Sequence, residues 1–175
     1  MKITTRKLVI TALGLALALV LPFLTGQIPR FGSMLLPMHI PVLLIGFICG
    51  WPYGIVLGLI SAPLRSLIFT MPPMYPVALA MAFEMAAYGA IAGFLYKKLA
   101  KKTINIYITL IAAMVGGRIV WAVASYVLFA LAGNSFTFEL FIAGAFINAV
   151  PGIILQIVLI PVLVLALKKA DIIKD

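Results

Sequence analysis

The sequence is poor in the groups on which most enzymes and soluble domains depend. Its 175 residues include one cysteine, Cys49, one histidine, His39, and four carboxylate side chains, Glu84, Glu139, Asp171 and Asp175. A single cysteine excludes an intramolecular disulfide, and one histidine with one cysteine excludes the usual multidentate zinc centre. Both aspartates fall in the last five residues, so no Ser-His-Asp constellation is available and the chain reads as a non-enzyme. It has no GxxxxGK[ST] stretch to cradle nucleotide phosphates. No cofactor is expected in this chain, which cannot by itself couple to ATP.

Charge is scarce as well, at 10% of residues, while 65% are hydrophobic and the mean hydropathy is +1.26. Soluble domains carry about 25% charged residues. The composition is that of an all-α integral membrane protein. With about 20 apolar residues needed per crossing, the length accommodates roughly six crossings. It leaves no segment for a soluble catalytic or nucleic-acid-binding domain, so residues 1–175 read as a single transmembrane domain.

Apolar runs predict six transmembrane helices over residues 7–24, 34–50, 53–70, 74–96, 105–132 and 138–167, with both termini on one side. The net charge of +9 is concentrated there. Lys2, Arg6, Lys7, Lys97, Lys98, Lys101, Lys102, Lys168, Lys169 and Lys174 occupy that side, against Arg30 alone in the opposite loops. This asymmetry places the termini in the cytoplasm and explains the cations without nucleic acid. No small-residue cleavage site follows the first run, so it is read as a retained span rather than a signal peptide.

The link over residues 22–39 is rich in proline and glycine and lies outside, where it is placed to cover a site. The sequence Gly50-Trp51-Pro52-Tyr53-Gly54 predicts a tight hairpin between spans two and three. Glycines at 46, 50, 54 and 58, and at 89 and 93, recur every four residues. That spacing permits close backbone approach between helices, for which ordinary packing is a sufficient explanation. No internal repeat supports an inverted-repeat transporter.

Ionisable groups within the hydrocarbon cost at least about 2.5–3.5 kcal/mol each and call for a reason. They are Arg65 on span three, Glu84 on span four and Arg118 on span five, joined by His39 at the start of span two and by Asn148 and Gln156 on span six. At about 1.5 Å per residue, Arg65, Glu84, Arg118 and Asn148 lie roughly 7 to 21 Å below the outer surface. One outward-facing pocket can hold them. Two guanidinium groups meet one carboxylate, leaving a positive charge for an anionic ligand. Arginine binds a carboxylate through two parallel hydrogen bonds, and Asn148 offers bonds to hydroxyl or amide groups. His39, Arg65, Glu84, Arg118 and Asn148 are therefore the candidate substrate-binding residues. The plainer reading is that one arginine pairs with Glu84 as a structural clip while the other reaches water, with His39 an interfacial group. Trp51, Trp121 and the tyrosines read as belt or core by default, although Tyr75, Tyr88 and Trp121 lie near the polar cluster in sequence. Met34, Met38, Met71 and Met74 gather at the outer ends, where adaptable side chains can line a covered site.

Several segments together resemble the substrate-binding S component of energy-coupling factor (ECF) vitamin transporters, and the resemblance covers essentially the whole chain. They are Ala12-Leu13-Gly14-Leu15-Ala16, Leu36-Pro37-Met38-His39-Ile40-Pro41, the Gly50–Gly54 hairpin, Gly117-Arg118 and Asn148-Ala149-Val150-Pro151-Gly152. The resemblance implies an S-component-like bundle in a prokaryotic plasma membrane. It implies partners too: a transmembrane coupling subunit docked on the Ala12/Ala16 face, and two ATPase subunits. The loop between spans one and two would cover a vitamin bound mainly by spans four to six, and the loaded subunit would rotate in the membrane to release it. Glu84, Arg118 and Asn148 then fall in the binding half, with His39 at the base of the covering loop and Arg65 supporting the site by pairing with Glu84. Metal-specific relatives carry an N-terminal histidine-containing loop, which Met1-Lys2-Ile3 lacks.

Among the vitamins of that family, cationic thiamine would want more carboxylate and aromatic surface, and a flavin a large stacking platform. Pantothenate, a small carboxylate with hydroxyls and an amide, suits two arginines and an asparagine. Two other classes fit the composition: a proton- or sodium-coupled carrier working through Glu84, and a non-transporting six-span scaffold. Dependence on partner subunits separates the three.

Overall fold

Proline and glycine set the breaks between long apolar helices. The computed structural model describes residues 4–26 and 34–173, and every regular element among them is helical. α1 runs Thr5–Gly26, α2 His39–Cys49, α3 Trp51–Phe69, α4 Leu79–Lys98, α5 Thr103–Leu131, α6 Phe138–Ile142 and α7 Val150–Lys169. Wide π-type turns at Met74–Ala78 and Ala143–Ile147 lead into α4 and follow α6. Gln27, Arg30 and Ser33 of the expected covering loop, and Lys2 and Lys174, lie outside the described residues.

Of the six expected spans, five are long helices and the second is a shorter apolar one. Five helices are long and apolar enough to cross a membrane, the wide turn at Met74–Ala78 being counted with α4. α2 has only 11 residues, about 17 Å at 1.5 Å per residue, roughly half of a hydrocarbon core. Pro37 disfavours helical geometry in the residue before it. Leu36 takes a positive φ of 50° instead, and the helix begins at His39. The run expected at 138–167 is likewise divided. Pro151 suits a first helical turn, where its missing N–H is no loss; α7 starts at Val150 and the preceding chain forms α6 and a wide turn.

The predicted hairpin is present and reduced to one residue. Gly50, at φ 96°, alone separates α2 from α3, a backbone conformation that favours glycine. α3 and α4 then pack antiparallel with backbones in contact. A Cβ on Gly54 would lie 2.6 Å from the Gly89 carbonyl oxygen, and one on Gly58 would meet the backbone of Met85 and Ala86. The small-residue spacing is thus a packing seam.

α4 is the central helix, in contact with α2, α3 and α5. Its buried stripe, Glu84, Tyr88, Ala92 and Tyr96, advances by four residues, the spacing that keeps side chains on one face. Toward the lysine-rich end this stripe joins Leu43, Phe47, Leu110, Ile160 and Val164 in a closed apolar core. At that end Lys7 Nζ donates to Cys49 O, Lys101 Nζ to Tyr96 O and Lys168 Nζ to Lys101 O, tying helix ends together. The start of α1 and the segment that closes α7 line one groove there, through Thr5, Arg6, Leu167 and Ile172.

Candidate functional site

A cavity of about 460 Å³ opens at the end opposite the lysines. Its polar lining consists of His39, Arg65, Glu84 and Arg118, set among apolar side chains that include Met81 and Trp121. A largely apolar pocket with a few convergent polar groups is the usual build of a small-molecule site.

Local packing explains how the polar groups meet. A Cβ on Gly117 would strike the Tyr88 ring, so glycine there lets Tyr88 lie flat against α5 and sets the α4–α5 register. One turn along α4 from Tyr88, Glu84 then faces Arg118. Arg118 Nη1 is 2.8 Å from Glu84 Oε1, with side chains 12% and 2% exposed. His39 begins α2, its N–H donating to Leu36 O at 3.1 Å. Its ring is held edge-on to Tyr88 at 5.0 Å between centroids, with Nε2 3.5 Å from the same Glu84 oxygen.

The pairing leaves part of the arginine unused. Nε and Nη2 of Arg118 are buried and have no hydrogen-bond partner among the described residues. These two nitrogens form the side fork of the guanidinium, the edge that matches a carboxylate with two parallel bonds. Both ring nitrogens of His39 are also buried without hydrogen bonds, and the Tyr88 hydroxyl, buried beside them, has the Arg118 guanidinium as its polar neighbour. Buried donors left unpaired are costly, and an anionic ligand with further polar groups would satisfy them. The Arg118 guanidinium carbon lies 6.0 Å from the centre of the Trp121 ring. Trp121 packs in turn on Phe136 and Phe141 and closely covers Gly144 of the wide turn after α6.

Two expected site residues are placed differently. Arg65 lines the cavity but is not the partner of Glu84, whose carboxylate pairs with Arg118 and has the His39 ring as its other polar neighbour. Its Nη1 donates to Leu19 O at 2.6 Å, and its guanidinium lies over Phe23 and Phe69 at 4.8 and 5.3 Å. Asn148 stands exposed in the turn before α7 and does not line the cavity. Gln156, by contrast, is fully buried, and neither atom of its amide makes a hydrogen bond. Met38 and Met71 line the cavity as the clustering of methionines suggested, while Trp121 and Met81 were not separable from packing residues in the sequence. The signal for Tyr88 was its position four residues after Glu84.

No curated protein and no solved structure matches the chain. The family model for the ECF transporter substrate-specific component matches residues 6–164. That match spans the helices lining the cavity, and the long apolar helices make the chain a multi-pass membrane protein. By it, this chain belongs to the substrate-specific component family of ECF transporters, a family of substrate-binding transporter subunits rather than of enzymes.

Proposed function

We propose that the chain captures a small, anionic, water-soluble vitamin or vitamin precursor from outside the cell, with pantothenate the leading candidate. The observation that carries this reading is the vacant side fork of Arg118 beside a cavity whose one lining carboxylate, Glu84, is already engaged. Arg118 holds the ligand's carboxylate. Tyr88 and His39 supply hydrogen bonds to its neutral polar groups, and Trp121 and the methionines contact its apolar parts. Asn148, exposed outside the cavity, has no part in this arrangement.

Delivery depends on partners, a transmembrane coupling subunit and two ATPases that use the ATP. Ala12 and Ala16 are exposed on α1, as a docking face requires, while Gly14 and Ala18 on the other side pack inward. The closed core of Leu43, Phe47, Leu110 and Ile160 below the cavity favours reorientation of the whole subunit over a path through it. The lysine-rich end faces the cytoplasm of a prokaryotic cell and the cavity faces outward, in keeping with the positive-inside rule.

The test is thermal unfolding of the detergent-purified chain against a panel of water-soluble vitamins and precursors. A ligand at 100 times its Kd adds about 2.7 kcal/mol to native stability. A shift with pantothenate that disappears in Arg118→Ala is the expected result. A shift with a cationic or flavin vitamin instead would overturn the choice of cargo, and no shift with any compound would overturn the capture role.

A further inference from the structure

Arg65 is a charged group in the bundle to which the proposed binding scheme gives no task. Its surroundings connect the cavity to the helix with the least buried span. Only 11% of the α1 span is buried. Its two buried residues are Gly14, whose missing side chain admits Ile45 at a distance that a Cβ would close to 2.7 Å, and Ala18, while Ile10 and Leu15 pack on the core from its edge. From residue 19 to residue 25 no side chain of α1 is buried.

That last stretch is nonetheless a wall of the cavity, because Pro22 lines it together with Arg65, Met71 and Pro72. Pro22 also weakens the helix at this point. Without an N–H it leaves the Ala18 carbonyl unbonded within the helix, and its ring opens the preceding turn. One residue on, the Leu19 carbonyl accepts the 2.6 Å bond from Arg65. The same guanidinium lies over Phe23 of α1 and Phe69 of α3, whose rings meet edge to face at 4.8 Å. One side chain thus fastens the outer end of α1 to the outer end of α3 by a charge-assisted hydrogen bond and one cation–π contact, to Phe23, while Phe69 of its own helix holds the guanidinium from the other side.

We propose that Arg65 is a latch. It holds the outer end of α1 in place as the cavity wall, through Leu19 and Phe23 on either side of Pro22, and its release frees this last stretch of α1 so that ligand can leave. In this role it is a positioning residue that sets how long the ligand stays, and the charge that reads the ligand is that of Arg118. The proposal rests on the reading of the cavity as a ligand site. It links ligand residence to the helix that carries the proposed docking face.

Hydrogen exchange of the whole chain in lipid nanodiscs tests the latch without any ligand. Arg65→Met is expected to raise exchange of the amides at residues 19–25 by about tenfold or more, the loss of one charged hydrogen bond with its cation–π contacts. Exchange in α4 and α5 should be unchanged, and Arg65→Lys, which keeps a cation and a donor, should restore much of the protection. Unchanged exchange in Arg65→Met overturns the proposal. A second measurement follows the dissociation rate of radiolabelled pantothenate from the same nanodiscs. The rate should rise in Arg65→Met, and also in Phe23→Leu and Phe69→Leu, although neither ring lines the cavity. If Arg65→Met weakens binding while both ring variants dissociate at the parent rate, Arg65 touches the ligand and the latch is refuted. If the parent chain does not bind pantothenate, the cargo assignment fails and the exchange result still decides the latch.

Discussion

α1 and α4 invert the rule that serves for soluble proteins. The α1 span has a mean hydropathy of 2.5 and is 11% buried, whereas the span containing α4 has a mean hydropathy of 1.6 and is 56% buried. In lipid the solvent is as apolar as leucine, so a uniformly apolar helix gains nothing by moving to the centre. A helix carrying a carboxylate, hydroxyls and bare glycine backbone gains a great deal, because each polar group finds a partner only inside the bundle. The less apolar span therefore marks where the chemistry is, and the more apolar one faces the bilayer or another membrane subunit.

The largest effect expected from breaking this contrast is at the centre of α4. Glu84→Ala leaves Arg118 as an unpaired buried cation and should cost about 3–5 kcal/mol, read by reversible unfolding in detergent. A loss below about 1 kcal/mol would mean that the pair behaves as an exposed surface bridge. An anionic ligand should offset part of that loss by taking over the guanidinium. Its stabilising effect is then expected to be larger on Glu84→Gln than on the parent, since the parent carboxylate competes for the same arginine.

A smaller effect of opposite sign is expected on α7. The Gln156 amide is fully buried with neither atom bonded, and an apolar side chain of similar volume removes an unpaired polar group. Gln156→Leu should therefore raise the stability of the ligand-free protein by about 1–3 kcal/mol, measured as an upward shift in the thermal midpoint. A downward shift would show that the amide is bonded to buried water, and would make it part of the resting structure.

Much of this arrangement was legible in the sequence, for reasons that the inverted rule makes clear. In a chain with so few charges, each intramembrane ionisable residue stands out, and His39, Glu84 and Arg118 do converge. The glycine repeats and the Gly50 hairpin were legible because only backbone proximity or a positive φ requires glycine there. The partner of Arg65 was not, because it is the main-chain carbonyl of Leu19 together with two ring faces, and neither is visible in a tally of charges. Asn148 was misplaced because the apolar run continues through it, whereas Pro151 restarts the helix and leaves Asn148 in an exposed turn. That the second apolar helix is short was legible, but its start was not, since the run before His39 is apolar and carries Pro37.

The smallest expected effect on stability comes from the outer face of α1, where function and folding separate most cleanly. Ala12 and Ala16 are exposed, on the side away from Gly14 and Ala18, so larger side chains there meet lipid and not the bundle. Replacing both with tryptophan should change unfolding free energy by no more than about 0.5 kcal/mol, as for substitutions away from packed sites. The affinity of the isolated subunit for its ligand should be retained. Uptake by cells or proteoliposomes containing the coupling subunit and ATPases should be abolished, because two indole rings remove the flat surface on which another helix would pack. Loss of ligand affinity in the double variant would mean that the two faces of α1 are not independent. Retained uptake would place the docking surface elsewhere, and the exposed apolar face of α1 would then serve only as contact with lipid.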